Sequence, residues 1–203
     1  MPKKFLDDVY SATDESNMAE FYDRWADSYD SELQENSYAT PRRLAEALLA
    51  TETPLDARVL DFGCGTGLSG QALVAHGYTL IDGTDLSAEM LAQAEAKQIY
   101  GRLWVTDAAA PLPGTPGAYD VMAAVGVVSP GAAPASLLAQ LAGELESGGR
   151  LAFSFNDHAM ADETYLDALR DLPEQGLEKL FESYGEHLPG IGLNSTVYVF
   201  ERA

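Results

Sequence analysis

The sequence predicts an α/β fold: a doubly wound, mostly parallel sheet of seven strands with helices on both faces. Three observations predict it. Short apolar runs alternate with helical patterns through five rounds between residues 58 and 155, the rhythm of βαβ units. The first run, Arg58-Val59-Leu60-Asp61-Phe62, opens into glycines at every second position, Gly63, Gly65 and Gly67, ahead of a helical stretch. Near the C-terminus two extended segments, 177–186 and 194–202, follow one another with no helix between. Such a pair makes an antiparallel hairpin and reverses the last strand against the others.

Each element has its own signals. Residues 1–17 are polar and mixed and read as a mobile arm. Residues 18–33 carry Met18, Phe21, Tyr22, Trp25 and Tyr29 at spacings of three and four, a helical stripe. Thr40-Pro41 reads as an N-cap and a proline at N1, opening a helix through Leu44, Leu48 and Leu49. Thr53-Pro54 breaks it before the first strand, 58–62. A helix over 66–75 stops at Gly77. The strand 79–84 ends on Asp85, and Ser87 caps the next helix, with Leu86 and Leu91 placed as a hydrophobic staple. A third strand, 102–106, ends on Asp107. A turn-rich loop, 111–117, precedes a strand over 119–125, and a helix over 134–146 leads through Gly148-Gly149 into the strand 150–155. A helical stretch over 163–172 and the two tail strands, with Gly190 and Gly192 between them, complete the chain. No internal repeat, low-complexity tract or linker suggests a second domain.

Composition narrows the function. At 203 residues and 46% hydrophobic, the chain can bury one core. No apolar run approaches the ~20 residues that cross a bilayer, so no membrane partner is expected. The basic start, Met1-Pro2-Lys3-Lys4-Phe5, runs into Asp7 and Asp8 instead of an apolar segment, unlike a signal peptide. A single cysteine forms no internal disulfide, which reads as a cytoplasmic protein. Twelve basic residues, four of them lysine, stand against thirty-two acidic ones, a formal charge of −20. That field repels phosphate backbones and excludes nucleic acid as an expected partner. It serves solubility or attracts a cationic partner, and the charge alone does not choose.

The glycine loop is a cofactor cradle: glycine reaches positive φ and lets a ligand approach without meeting a Cβ. Gly65, Gly67 and Gly70 also satisfy G-x-G-x-x-G, so a dinucleotide is one candidate, whereas no lysine follows as a P-loop requires. Asp61 discriminates. A carboxylate pointing into the cradle repels a pyrophosphate and suits a ligand with an ammonium and a sulfonium. S-adenosylmethionine (SAM) is such a ligand.

With Asp61 and the glycine loop behind strand one, and one reversed strand among seven, the chain resembles the class I SAM-dependent methyltransferases and their Rossmann-like sheet. The resemblance spans residues 20–203. The phrases Tyr22-Asp23-Arg24-Trp25-Ala26-Asp27-Ser28-Tyr29-Asp30 and Gly83-Thr84-Asp85-Leu86-Ser87-Ala88-Glu89-Met90-Leu91 look closest to the small-molecule branch, and within it to the Williams–Beuren-region methyltransferase-like group. The resemblance implies a helical lid over 18–52, a SAM-binding core over 53–203 and a small-molecule methyl acceptor. Asp61, Gly63, Cys64, Gly65 and Gly67 would wrap the methionine part, Asp85 the ribose hydroxyls, and Leu86 the adenine face. Asp107 and the backbone of Ala108 would bind the adenine edge. Gly126 would line the meeting place of sulfonium and acceptor, and Tyr22 and Tyr29 would lie over the cofactor. Cys64 reads as a packing residue and not as a nucleophile.

For the acceptor side, Ser129, Asn156, Asp157 and His158 follow strands four and five, with His158 and Asn156 the candidate catalytic residues. His76 and His187 have weaker claims. Gly126-Val127-Val128-Ser129-Pro130 stands where the subgroup often carries a histidine, a departure that leaves a base there open. No His/Cys/Asp cluster has metal-ligand spacing. The acceptor atom and the oligomeric state are open. Two rival readings also remain: a SAM-binding module without turnover, and an NAD(P)-dependent oxidoreductase.

Overall fold

The computed structural model describes residues 18–107, 112 and 115–203. The expected arm over 1–17 and Ala108 lie outside the described residues. Two helices open the chain, α1 (Met18–Glu35) and α2 (Thr40–Ala50). β1 (Arg58–Phe62), α3 (Leu68–Ala75), β2 (Leu80–Asp85), α4 (Ala88–Ala96) and β3 (Leu103–Val105) form the first half of the sheet. β4 (Val121–Ala124), α5 (Leu137–Gly143), β5 (Arg150–Asn156), α6 (Asp157–Met160) and α7 (Glu163–Asp171) follow. The hairpin β6 (Leu177–Leu188) and β7 (Leu193–Arg202) closes it.

The seven strands lie in the order β3-β2-β1-β4-β5-β7-β6. β1 pairs in parallel with β2 and β4, and β7 runs antiparallel to both β5 and β6, so β7 is the one reversed strand, as expected. Two cores sit on opposite faces, and the twofold alternation of the strands assigns residues to them. Leu60, Met122, Leu151, Phe153 and Phe155 face α5 and α7, while Val59, Val121, Ala123 and Ala152 face α2 and α3. Strands buried on both faces read as continuous apolar runs, which is why β1, β4 and β5 stand out in the sequence. At the far edge, β6 is mostly exposed and carries Glu178, Lys179, Glu182 and Glu186, charges that discourage a further strand from pairing.

A third cluster joins α1 to this frame. Trp25 and Leu33 pack with Met90 of α4 and Leu188 of β6, and Phe21, Tyr22, Tyr29 and Tyr38 border them. The helical stripe read in the sequence is therefore the face by which α1 clamps onto the carboxyl ends of the strands. Several elements are shorter than their patterns suggest. α5 covers only 137–143 of the expected 134–146, β4 only 121–124, and α3 starts after Gly67 instead of at Thr66. The short α6 was not expected at all. Among the described residues no helix is long and apolar enough to cross a membrane.

Candidate functional site

The sheet order reverses between β1 and β4, and in such sheets ligands bind outside the carboxyl ends of the strands at that point. A cavity of about 300 Å3 lies there. Tyr22 and Tyr29 of α1 contribute to its wall, with Gly63 and Gly65 after β1, Asp85 and Leu86 at the end of β2, Thr106 after β3 and Gly126 after β4. Ala133, Pro134 and Leu137 add an apolar side.

Asp85 ties the walls together. One carboxylate oxygen accepts from the Gly65 N–H at 2.9 Å and the other from the Ser87 N–H at 2.9 Å. An ionised carboxylate has about four acceptor positions, so about two remain toward the cavity. Burial raises the Asp85 pKa, opposed by those backbone donors. Gly63 answers a steric need: at φ +66 a Cβ would come within 2.5 Å of Val127, so the loop after β1 meets the loop after β4 only with hydrogen there.

Tyr22, Tyr29, Gly63, Gly65, Asp85, Leu86 and Gly126 thus meet at one cavity, and four expected cofactor residues and the two candidate catalytic ones, Asn156 and His158, do not line it. Asp61 does not project into the cradle. The strand alternation puts it on the α3 face with Val59, fully buried, where its Oδ2 accepts from Ser69 Oγ at 2.6 Å and from the Tyr100 hydroxyl at 2.7 Å. Cys64 is buried with its Sγ against Gly83 on β2, and burial pushes its thiol pKa far up, so it is packed and inert. Gly67 is the left-handed N-cap of α3, its N–H bonded to the Cys64 carbonyl at 2.8 Å. Asp107 is exposed, because β3 ends at Val105 and alternation turns Thr106 inward instead. His158 is exposed on α6.

These features match known proteins. Residues 59–149 match the family described as "Methyltransferase domain". Human methyltransferase-like protein 27 is 38% identical over 124 residues, 60% of this chain and 51% of that protein. The likeness to a methyltransferase domain thus lies over β1 to the loop before β5. The 18S rRNA (guanine(1575)-N(7))-methyltransferase of Saccharomyces cerevisiae is 33% identical over 70 residues, 34% of this chain and 26% of that protein. The chain thus spans about half or less of the length of these relatives. Among solved structures, the magnesium protoporphyrin IX methyltransferase of Synechocystis PCC 6803 with bound SAM superposes with a TM-score of 0.71 at 19% identity, covering 97% of this chain and 98% of that one. A SAM-dependent methyltransferase from Thermotoga maritima gives 0.64 at 17% identity, covering 92% and 100%. The fold is that of SAM-binding methyltransferases.

The residues beneath the glycine loop fit that cofactor. Asp61 Oδ1 is buried and has no hydrogen-bond partner among the described residues. An unmatched carboxylate oxygen beneath the glycine loop favours positive charge above it. Burial pushes the Asp61 pKa up to about 6, against the Ser69 and Tyr100 hydrogen bonds that lower it.

Sequence reading missed the polar contacts that hold α1 to the rest of the fold. Ser87 Oγ donates to Asp23 at 2.5 Å, Lys97 Nζ pairs with Asp30 at 2.7 Å, and Thr66 Oγ1 also donates to Asp30. Two acids two turns apart on one face of α1 thereby tie that helix to the loop after β1 and to both ends of α4. Sequence reading also ranked His187 below His158. Asn156, Ser129 and the buried His187 line a small pouch that shares Tyr22, Tyr29, Gly126 and Ala132 with the main cavity. Asn156 acts first as the N-cap of α6, its Oδ1 accepting from the Ala159 N–H at 3.0 Å.

Gly126 is the hinge between cavity and pouch. Its φ is +71, its N–H donates to Ser154 Oγ at 2.9 Å, and a Cβ there would collide with the Tyr38 hydroxyl. Gly126→Ala should therefore lower stability by about 1–3 kcal/mol and displace Tyr38. Denaturant unfolding and Tyr38 ring resonances check this, and an unchanged midpoint would refute it.

Proposed function

We propose that this domain transfers the methyl group of SAM to a small-molecule acceptor. The observation that carries the reading is a cavity under α1 in which Asp85, Gly63, Gly65, Gly126, Tyr22 and Tyr29 converge from separate parts of the chain. Asp85 would hold the ribose hydroxyls through its remaining acceptor positions. The backbone of Gly63 and Gly65, with the buried charge of Asp61 beneath, would hold the ammonium. Leu86 would lie against the adenine, and Tyr22 and Tyr29 would close over the bound molecule.

SAM, when bound, supplies a methyl group on a sulfonium whose leaving group is a neutral thioether. The protein's part is alignment of an acceptor with that methyl and exclusion of water, which α1 and its acidic latches perform. An acceptor beyond Gly126 would enter a pouch walled by Trp25, Leu33 and Leu188, which has room for a small group and not for a macromolecule. The yeast relative's name refers to rRNA. Here a charge of −20 opposes a phosphate backbone, which supports the small-molecule reading. The identity with methyltransferase-like protein 27 supports placement beside it, in the Williams–Beuren-region methyltransferase-like group. The lone cysteine supports a cytoplasmic site of action.

Isothermal titration of the folded protein with SAM and with S-adenosylhomocysteine (SAH) tests the reading. Micromolar binding of either is expected, followed by turnover on a panel of small acceptors. Binding without turnover on any acceptor would favour a SAM-binding module. Binding of NADH in place of both would overturn the reading.

A further inference from the structure

The pouch beyond Gly126 has a polarity that can be worked out from one end. Arg43 of α2 donates through Nη1 to Ser195 Oγ at 2.9 Å, and a guanidinium can only donate. Ser195 is fully buried on β7, and its hydroxyl has one proton to give. Besides Arg43, its hydroxyl partner among the described residues is Thr40 Oγ1 at 3.0 Å. Thr40 Oγ1 in turn meets His187 Nδ1 at 2.7 Å. Run in the order Arg43, Ser195, Thr40, His187, each hydroxyl accepts once and donates once. Run the other way, Ser195 would hold a buried O–H with no acceptor among the described residues, which is costly.

The relay therefore ends with Nδ1 of His187 as an acceptor, and the ring's proton sits on Nε2. The ring is fixed in place: the Tyr38 ring packs edge-on at 5.1 Å, and the His187 carbonyl accepts from the Ala39 N–H at 2.9 Å. Its Cε1 edge, next to Nε2, comes 4.0 Å from where a Gly126 side chain would begin. Nε2 has no hydrogen-bond partner among the described residues. The other polar groups of the pouch agree in sign. Asn156 spends Oδ1 on the α6 cap, which leaves its Nδ2 donors, and the Ser129 hydroxyl has no partner among the described residues. Among the described residues no carboxylate lines the pouch.

Resting on the methyltransferase reading, we propose that this pouch takes a carboxylate of the methyl acceptor, with His187 as a specificity-determining N–H donor and not a general base. Size agrees: the pouch measures about 40 Å3, room for roughly three water-sized atoms. That is a carboxylate group and not a ring. Burial, then the nearby Arg43, pushes the His187 pKa down to about 4, with Asp157 opposing, so the ring stays neutral at physiological pH. Thr40 and Ser195 are positioning residues that hold its tautomer.

The test is nuclear magnetic resonance of the full chain carrying 15N-labelled histidine. SAH is titrated first and read at the Gly65 amide, which tests the cofactor reading by itself. Long-range proton–nitrogen correlations then report the His187 tautomer, and acetate, acetamide and methylammonium are added in turn to the SAH-loaded protein. The expected result is the Nε2–H tautomer, with acetate alone shifting the His187 Nε2–H and Asn156 side-chain amide signals. His187→Phe should weaken acetate at least tenfold and leave SAH affinity unchanged. If that variant does not fold, Thr40→Val should mix the tautomers and weaken acetate about three- to tenfold. An Nδ1–H tautomer would overturn the proposal and restore a base. So would equal binding of acetamide or methylammonium, or no acetate shift at tens of millimolar.

Discussion

Asp85→Asn is expected to lower SAM affinity on the order of a hundredfold while the protein still folds. Two charge-assisted hydrogen bonds to a ribose, each contributing about 1.5–3 kcal/mol, set that scale. Asparagine keeps one carbonyl oxygen, enough to accept from Gly65 or Ser87 but not from both and the ribose together. Asp85→Ala is the harsher variant. It removes the acceptor of both backbone N–H groups, loosens the glycine loop from β2, and should also lower unfolding stability by about 2–4 kcal/mol. Calorimetric titration with SAM and denaturant unfolding of both variants separate the two roles. If Asp85→Asn binds SAM within threefold of the unaltered protein, Asp85 does not hold the ribose.

That double role was only half readable from sequence. An acid ending a strand behind a glycine loop announces a ligand, and Asp85 lies on the cavity as expected. Its clasp on Gly65 joins residues twenty positions apart, a contact that no local pattern carries. β1 was read to its residue because proline, a buried apolar run and glycines bracket it on both sides. β3 was not. The expected strand 102–106 shrinks to Leu103–Val105, and a shift of one residue exchanges Asp107 for Thr106 at the cavity. The N-terminus of α2 shows the same limit. Pro41 does open the helix, but the N-cap residue is Ala39, and the Thr40 hydroxyl serves His187, 147 residues away. His158 drew notice because it follows β5. His187, hidden in a tail strand, reaches the site only because β7 folds between β5 and β6 and carries the hairpin back beneath α2.

Asp61→Asn is expected to stabilise the unliganded protein above pH 6 and to weaken SAM at the same time. The Asp61 carboxyl titrates near 6 in the folded chain against 3.8 as a free side chain, because burial disfavours its charge. Between those values the folded state holds the proton that the unfolded state has released. Stability therefore falls as pH rises through this window, and above pH 6 the full loss stands, on the order of 2–3 kcal/mol. Asparagine cannot ionise, and its oxygen can still accept from Ser69 and Tyr100. His187 works in the opposite sense: titrating near 4 against 6.5, it makes stability rise with pH over much the same range. In the unaltered protein the two slopes oppose each other. Asp61→Asn removes one of the opposing slopes and leaves that of Asp85, whose carboxyl burial also raises, so unfolding free energy should change more upward between pH 4 and 6.5 than in the unaltered protein. A bound cation favours ionised Asp61, so SAM affinity in the unaltered protein should strengthen from pH 5 to 7. The variant should lose that dependence and bind about tenfold or more weakly at pH 7. Denaturant midpoints and SAM titrations across this range measure both. A variant no more stable at pH 7.5 than the unaltered protein would mean that Asp61 carries no buried charge for the cofactor to neutralise.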